Sequence, residues 1–233
     1  MTLLPPAAVL LDIEGTATSR DFVEGVMRPF ADGRMAAFVA RRHEMPEVRE
    51  VLAEIRALVP GQAPSETIAH WLAHDPVVDP LQALRALIWH DAFASGALRV
   101  SLYPDVALAL RRWNKAGVRL ATYSADAASL QRELFANAPE GDLAGLFVRL
   151  FDTHVGLKSE PENFGRLAIA LAVPTAEVAY LSAFEAELDA AAAAGMRTCQ
   201  IIRPESGVAP SARHDRAIDL PAAASMLGMP AAA

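Results

Sequence analysis

Two carboxylates end the apolar run Val9, Leu10, Leu11 in the stretch VLLDIEGTAT: Asp12 follows it directly and Glu14 comes two positions later. Like charges this close are costly unless a metal, hydrogen bonds or a reaction uses them. One carboxylate can attack phosphorus while the other moves a proton. A Mg²⁺ ion would relieve their repulsion and neutralise phosphate charge. Two further residues fit the same chemistry. Ser124 ends VRLATYS and opens a helix, where a hydroxyl and helix amides form an anion site. Lys158 follows FDTHVG and supplies a point charge. Taken singly, each has an ordinary structural reading: a loop or cap for Asp-x-Glu, an N-cap for the serine, a solvated surface for the lysine. Their order along the chain and their places at strand ends favour a site.

The elements that must position them follow from hydrophobic patterning. The short apolar runs AAVLLD, VRLATYS, LFVRLFDTHVG, VAYLS and RTCQIIRP read as buried parallel strands. Helices alternate with them. DVALALRRWNKA, from Asp105 to Ala116, carries an apolar stripe and ends at Gly117. Ser159 and Glu162 have capping-box spacing ahead of the stripe Phe164, Leu167, Ala168, Leu171. Alternation of this kind predicts an α/β fold with a mostly parallel sheet. Ligands then bind at the carboxyl ends of the strands, where Asp12, Ser124, Lys158 and Ser182 fall. Between Thr18 and Leu102 the pattern becomes helical, with stripes Val48, Val51, Leu52, Ile55, Leu58, then Ile68, Trp71, Leu72, then Leu81, Leu84, Ile88, separated by the turn signals VPGQAP and DPVVDP. The tail segment RAIDLPAAASML suggests one more short strand and a closing helix. The expected organisation is a core from residues 1–18 and 102–233, with an inserted α-helical cap at 19–101.

The composition narrows the classes of function. With 233 residues and 53% hydrophobic content the chain can bury one substantial core. A net charge of −7 and a pI near 5.4 argue against a nucleic-acid partner. The one cysteine, Cys199, allows no internal disulfide and fits a reducing compartment. The opening MTLLPPAAVLLD lacks the basic region of a signal peptide, and no apolar run reaches the ~18 residues of a membrane span.

The segments LLDIEGTATSRDFV, LIWHDAFASGALRVSLYPDV, ALRRWNKAGVRLATYS, LFDTHVGLKSE and AELDAAAAAGMRT together resemble the haloacid dehalogenase-like hydrolases. Within them the chain is similar to the acireductone synthase (enolase-phosphatase) family of methionine salvage. DIEGT, with Glu where Asp is commoner, carries much of that resemblance. It implies a Rossmann-like core with an α-helical cap, Mg²⁺ as cofactor, and a small phosphorylated metabolite, a methylthio-diketopentyl phosphate, as substrate. Asp12 would be nucleophile and metal ligand, and Glu14 the acid/base with its backbone carbonyl on the metal. Ser124 and its successor, Ala125, would hold phosphate, and Lys158 would complete the site. A cytoplasmic monomer with no membrane or nucleic-acid partner is expected.

Four positions depart from the family's pattern. Ala125 and Asp126 stand where a second Ser and a Gly are typical, Ser101 where a His is expected, and Ala183 where an Asp should bind Mg²⁺. Ala183 offers no oxygen to a hard cation. Asp126 puts negative charge where phosphate would sit, and at ~4 Å with an effective dielectric near 20 that repulsion is roughly 4 kcal/mol per pair of unit charges. An acid in a first helical turn is equally at home as a structural group. If it fills the anion site, its carboxylate takes the amides that start the following helix and pairs with Lys158. Glu185, Glu187 and Asp126 are candidates to replace the lost ligand. Two alternative readings follow: a paralog that binds a ligand or partner but turns over slowly or not at all, and a metal-independent hydrolase with an Asp nucleophile.

Overall fold

The computed structural model describes residues 4–74 and 78–230, so Asp75 to Val77 of the DPVVDP signal and the first three residues lie outside it. Two compact units divide the chain: 4–22 together with 99–230, and 23–98.

The first unit is built on six parallel strands in the order β3-β2-β1-β4-β5-β6: β1 (Ala8–Leu11), β2 (Arg119–Tyr123), β3 (Phe147–Phe151), β4 (Val178–Ser182), β5 (Arg197–Ile201) and β6 (Asp215–Ala217). All four residues of β1 are buried, which is why the strand reads as unbroken apolar sequence rather than as alternation. One face of the sheet presents Ala8, Leu10, Ala121, Tyr123, Val178 and Tyr180 to Phe164, Leu167 and Leu171 of helix Pro161–Leu171 and to Leu188 and Ala191 of helix Glu185–Ala193. Phe164 meets Tyr123 and Tyr180 edge-on, with ring centroids 5.5 and 5.1 Å away. Full burial of each such side chain is worth roughly 1.5–3 kcal/mol. The alternate residues Val9, Leu11 and Leu120 point to the opposite face, where helices Val106–Lys115 and Leu220–Leu227 pack on each other. The α/β, Rossmann-like sheet expected from the strand and helix runs is therefore the one observed.

The second unit is helical, with no strand among its described residues. In chain order the α-helices among the described residues are α1 (Arg20–Phe22), α2 (Arg28–Asp32), α3 (Met35–Arg42), α4 (Pro46–Leu58), α5 (Pro64–His74), α6 (Asp79–Ala94), α7 (Val106–Lys115), α8 (Ala128–Ala136), α9 (Pro161–Leu171), α10 (Glu185–Ala193) and α11 (Leu220–Leu227). A π-helical turn, Val23–Met27, joins α1 to α2. The stripes of α4 and α6 are buried as their spacing predicts, except that Leu58 is exposed at the end of α4. Arg85 of α6, almost fully buried, grips Asp32 in a bidentate pair at 2.7 and 2.9 Å. Trp89 donates its indole N–H to the carbonyl of Met27 at 2.7 Å. One local expectation fails. The residue capping α9 is Glu160, not Ser159, and its carboxylate accepts from Asn163 Nδ2 at 2.9 Å rather than capping the helix. Pro161 at the first helical position already accounts for the start.

Candidate active site

In this strand order β1 has β2 on one side and β4 on the other, so the connections run in opposite directions from it and leave a crevice at its carboxyl end. Asp12 is the first residue beyond β1, and its amide donates to Leu181 O at 2.9 Å, continuing the ladder. The chain then doubles back at once. The amides of Thr16, Ala17 and Thr18 all donate to the carbonyl of Ile13, and that of Gly15 to Thr18 O. Gly15 adopts φ +74°, and a Cβ there would lie 3.1 Å from that of Ala183. The turn thus needs glycine for its backbone angle and lies close against the end of β4. Arg203, buried just after β5, fixes the turn by donating to Thr16 O through Nη2 at 2.7 Å and to Asp105 Oδ1 at 2.8 Å, its guanidinium stacked on the Tyr103 ring.

Lys158 arrives on the loop after β3. Tyr123 OH donates to Gly156 O at 2.8 Å, and Gly156 sits so close to Asn163 that any side chain there would overlap it. Asn163 holds the next turn through Leu157 O. The loop delivers the ammonium of Lys158 to 2.5 Å from Asp12 Oδ1 and 2.9 Å from Glu187 Oε2. Glu187, in the first turn of α10, also accepts from Tyr180 OH at 2.6 Å and Ser182 Oγ at 2.8 Å. Ser182 Oγ lies 3.2 Å from Asp12 Oδ2 as well. A hydroxyl has one proton to give, and the shorter contact assigns it to Glu187. Asp12 and Glu187 are thus bridged by the ammonium, with the Ser182 hydroxyl between them donating to Glu187.

Burial raises the Asp12 pKa to about 6, in spite of the opposing pull of Lys158, and the Glu187 charge adds to the rise. Burial alone would lower Lys158, but Asp12 and Glu187 outweigh it and hold it above its ordinary value. Asp12 and Lys158 therefore form a pair in which the lysine is firmly charged and the aspartate is the group near its titration point. Tyr180 is pushed well above the usual tyrosine range, first by burial and then by the two carboxylates, so it stays a donor.

The other singled-out residues occupy different places. Glu14 is half-buried in the turn after Asp12. Ser124 follows β2 and its Oγ accepts from the amide of Asp126 at 3.2 Å, while Ala125 is exposed. The amide of Ala128, at the start of α8, donates to Asp152 Oδ2 at 3.0 Å, not to Asp126. Asp152 thus takes one of the amides that Asp126 would accept if it filled the anion site. Sequence reasoning placed Lys158 and Ser182 at strand ends and named Glu187 as a candidate ligand, but it did not single out Tyr180. It also passed over Arg203, whose place directly after a buried strand was the available signal.

The donor set does not fit Mg²⁺. That ion wants near-octahedral oxygen ligands, and at the end of β4 it would meet the fully buried methyl group of Ala183. Glu185 is drawn elsewhere, accepting from Ser211 Oγ at 2.5 Å and pairing with Arg213 at 3.3 Å. Glu187 is engaged by Lys158. Among the described residues no cluster of three or more Asp, Glu, His or Cys is arranged to hold a metal ion.

A parallel sheet of this order, with a buried Asp beyond its central strand and a Lys delivered from the third strand's loop, defines a hydrolase scaffold. Residues 6–195 match the family model for haloacid dehalogenase-like hydrolases, and the chain belongs to that family. Within it, the chain is 44% identical over 225 residues to "Enolase-phosphatase E1" of Acidiphilium cryptum, covering 97% of each. It is 41% identical to the protein of the same name in Gluconacetobacter diazotrophicus, covering 97% of this chain and 96% of that one. Among solved structures, the UTR4 protein of Saccharomyces cerevisiae superposes with a TM-score of 0.77 at 25% identity, over 92% of this chain and 98% of that one. The chain is thus an enzyme of the phosphatase type. No helix among its described residues is long and apolar enough to cross a membrane.

Proposed function

We propose that the protein hydrolyses a small phosphorylated diketone, a methylthio-diketopentyl phosphate, in methionine salvage, as a cytoplasmic monomer whose helical unit serves as the cap. The observation that carries this reading is the buried Asp12 carboxylate, held by Lys158 at 2.5 Å in the crevice beyond β1. The enolase-phosphatase relatives support the substrate class.

The chemistry of the residues is as follows. An Asp12 carboxylate oxygen forms a bond to phosphorus as the ester P–O bond breaks, and the leaving oxygen takes a proton from the Glu14 carboxylic acid. Water then attacks the aspartyl phosphate. The new P–O bond forms, the Asp12–phosphorus bond breaks, and the water's proton returns to Glu14. Lys158 orients Asp12 and lends positive charge beside the developing negative charge. Tyr180 and Ser182 keep Glu187 fixed, and through it Lys158.

The test is release of inorganic phosphate from the diketone phosphate and from an aryl phosphate. Asp12→Asn is expected to lower kcat by about 10³-fold or more while the fold is kept. A variant with the parent's activity would show that Asp12 is not the nucleophile.

A further inference from the structure

We infer that the Asp12 centre is closed to divalent cations, with the Lys158 ammonium, shared between Asp12 and Glu187, standing as its built-in counter-charge. The inference deepens the proposed function in that it takes Asp12 as the reacting carboxylate, but its decisive measurement is binding rather than turnover.

Three observations carry it. First, the end of β4 presents a carbon where an oxygen ligand would be needed, and Ala183 is completely buried with the Gly15 turn close against it. Second, the two carboxylates that face the centre are already bridged by Nζ at 2.5 and 2.9 Å. A divalent ion between them would have to displace an ammonium carried on a loop that Tyr123 and Asn163 hold through Gly156 O and Leu157 O. A cation placed beside the ammonium would also be repelled by it in a site with little water. Third, Glu187 Oε2 receives Tyr180 OH, Ser182 Oγ and Lys158 Nζ together. A metal would have to compete with all three donors for that oxygen. The only acidic neighbour that could swing in from the same helix, Glu185, is tied to Ser211 and Arg213.

The consequence for a reader of activity is that added Mg²⁺ brings no stimulation and a chelator no loss. The structural consequence is sharper: removing the ammonium, or restoring the oxygen, should open the centre to a cation.

The experiment is a Mn²⁺ titration followed by the electron paramagnetic resonance signal of the unbound ion, with Mg²⁺ calorimetry beside it. It compares the parent protein with Asp12→Asn, Lys158→Ala and Ala183→Asp. The parent is expected to show no binding that depends on Asp12 with a Kd tighter than about 1 mM. Lys158→Ala, which leaves two carboxylates facing each other, should gain an Mn²⁺ site at least ~10-fold tighter than that. Ala183→Asp should gain one independently, so the result survives if either variant folds poorly. Phosphate release by the parent should change less than about twofold on chelation or on adding Mg²⁺, well under the ~10-fold that 1.4 kcal/mol represents. Binding in the parent that Asp12→Asn abolishes overturns the inference. Binding that Asp12→Asn leaves intact lies elsewhere on this acidic protein and agrees with it. If neither variant gains a site, Lys158 and Ala183 are not what closes the centre, and the inference is equally overturned. A protein that releases no phosphate under any condition defeats the proposed function, and the titration still decides the closed centre.

Discussion

Asp12 is charged against its surroundings. Its carboxyl has a pKa of about 6 in the native protein and 3.8 as an ordinary aspartate, because burial outweighs the pull of Lys158. The native state therefore holds the proton more tightly than the unfolded chain does. The contribution of this group to stability is fully present below about pH 3.8, is lost as pH rises to about 6, and is flat above that. Asn at this position imitates the protonated form, so Asp12→Asn should melt above the parent at pH 7, by on the order of 1–3 kcal/mol. Near pH 4 the gap should shrink towards zero. Melting curves of the two proteins across that window check the sign, and a gap that does not vary with pH contradicts it. Turnover follows the same group in the opposite sense. The nucleophile must be ionised, so kcat/KM should fall about tenfold per pH unit on the acid side of about 6. An acid limb centred near pH 4 would mean that the reacting carboxylate is not Asp12.

Helices and strands differ in how plainly the chain announces them. β1, β2 and β4 were readable because a strand buried on both faces has to be almost wholly apolar, and little else makes so short a run. The first helices of the second unit were not read, because Gly25, Pro29 and Gly33 interrupt the stretch from Arg20 to Arg42. Pro29 lies in the first turn of α2 and Gly33 caps its end, so the stretch is cut into pieces too short to show a stripe, and only Gly25 lies inside a helical turn. In the site, Asp12 and Lys158 could be singled out from their places at strand ends. That Glu187 rather than Glu185 turns to the centre could not, since both sit in the first turn of α10 and only tertiary neighbours separate them. The element most exposed to a single change is the turn after β1. Gly15→Ala forces a side chain into positive φ and against Ala183. It is expected to cost ~1–3 kcal/mol and to lower turnover by at least ~10-fold through displacement of Asp12. Chemical denaturation and phosphate release read the two effects separately, and a variant unchanged in both would show that the turn is not closely packed.

At the level of the molecule, two units with different architectures share one chain, and a buried ion pair anchors the helical one. Its deepest charged contact is the Arg85–Asp32 fork, with the arginine only 1% exposed. Arg85→Met removes the guanidinium from a buried bidentate pair, a change worth roughly 3–5 kcal/mol when the partner charge is left behind. Asp32 can still reach water, so the lower end of that range is expected. Hydrogen exchange should show faster opening of α2 and α6, while the amides of β1 and β4 keep their protection. Equal acceleration in both units would mean that they unfold as one.

The place of β1 has a further consequence, which belongs to synthesis rather than to the finished protein. Its two neighbours in the sheet are β2 and β4, and the last residue of β4 is Ser182. At roughly 5–20 residues per second, the segment Ala8–Leu11 leaves the ribosome on the order of ten to thirty seconds before the strand that will flank it on that side. Throughout that interval one side of these four consecutive apolar residues has no strand to pair with and is open to any passing hydrophobic surface. Nascent chains stalled before β4 should therefore be held by chaperones and be cut readily by protease within residues 4–22, whereas chains stalled after α10 should resist. Slowing translation between β2 and β4 should lower the yield of folded protein, although every contact of the native state would be unchanged.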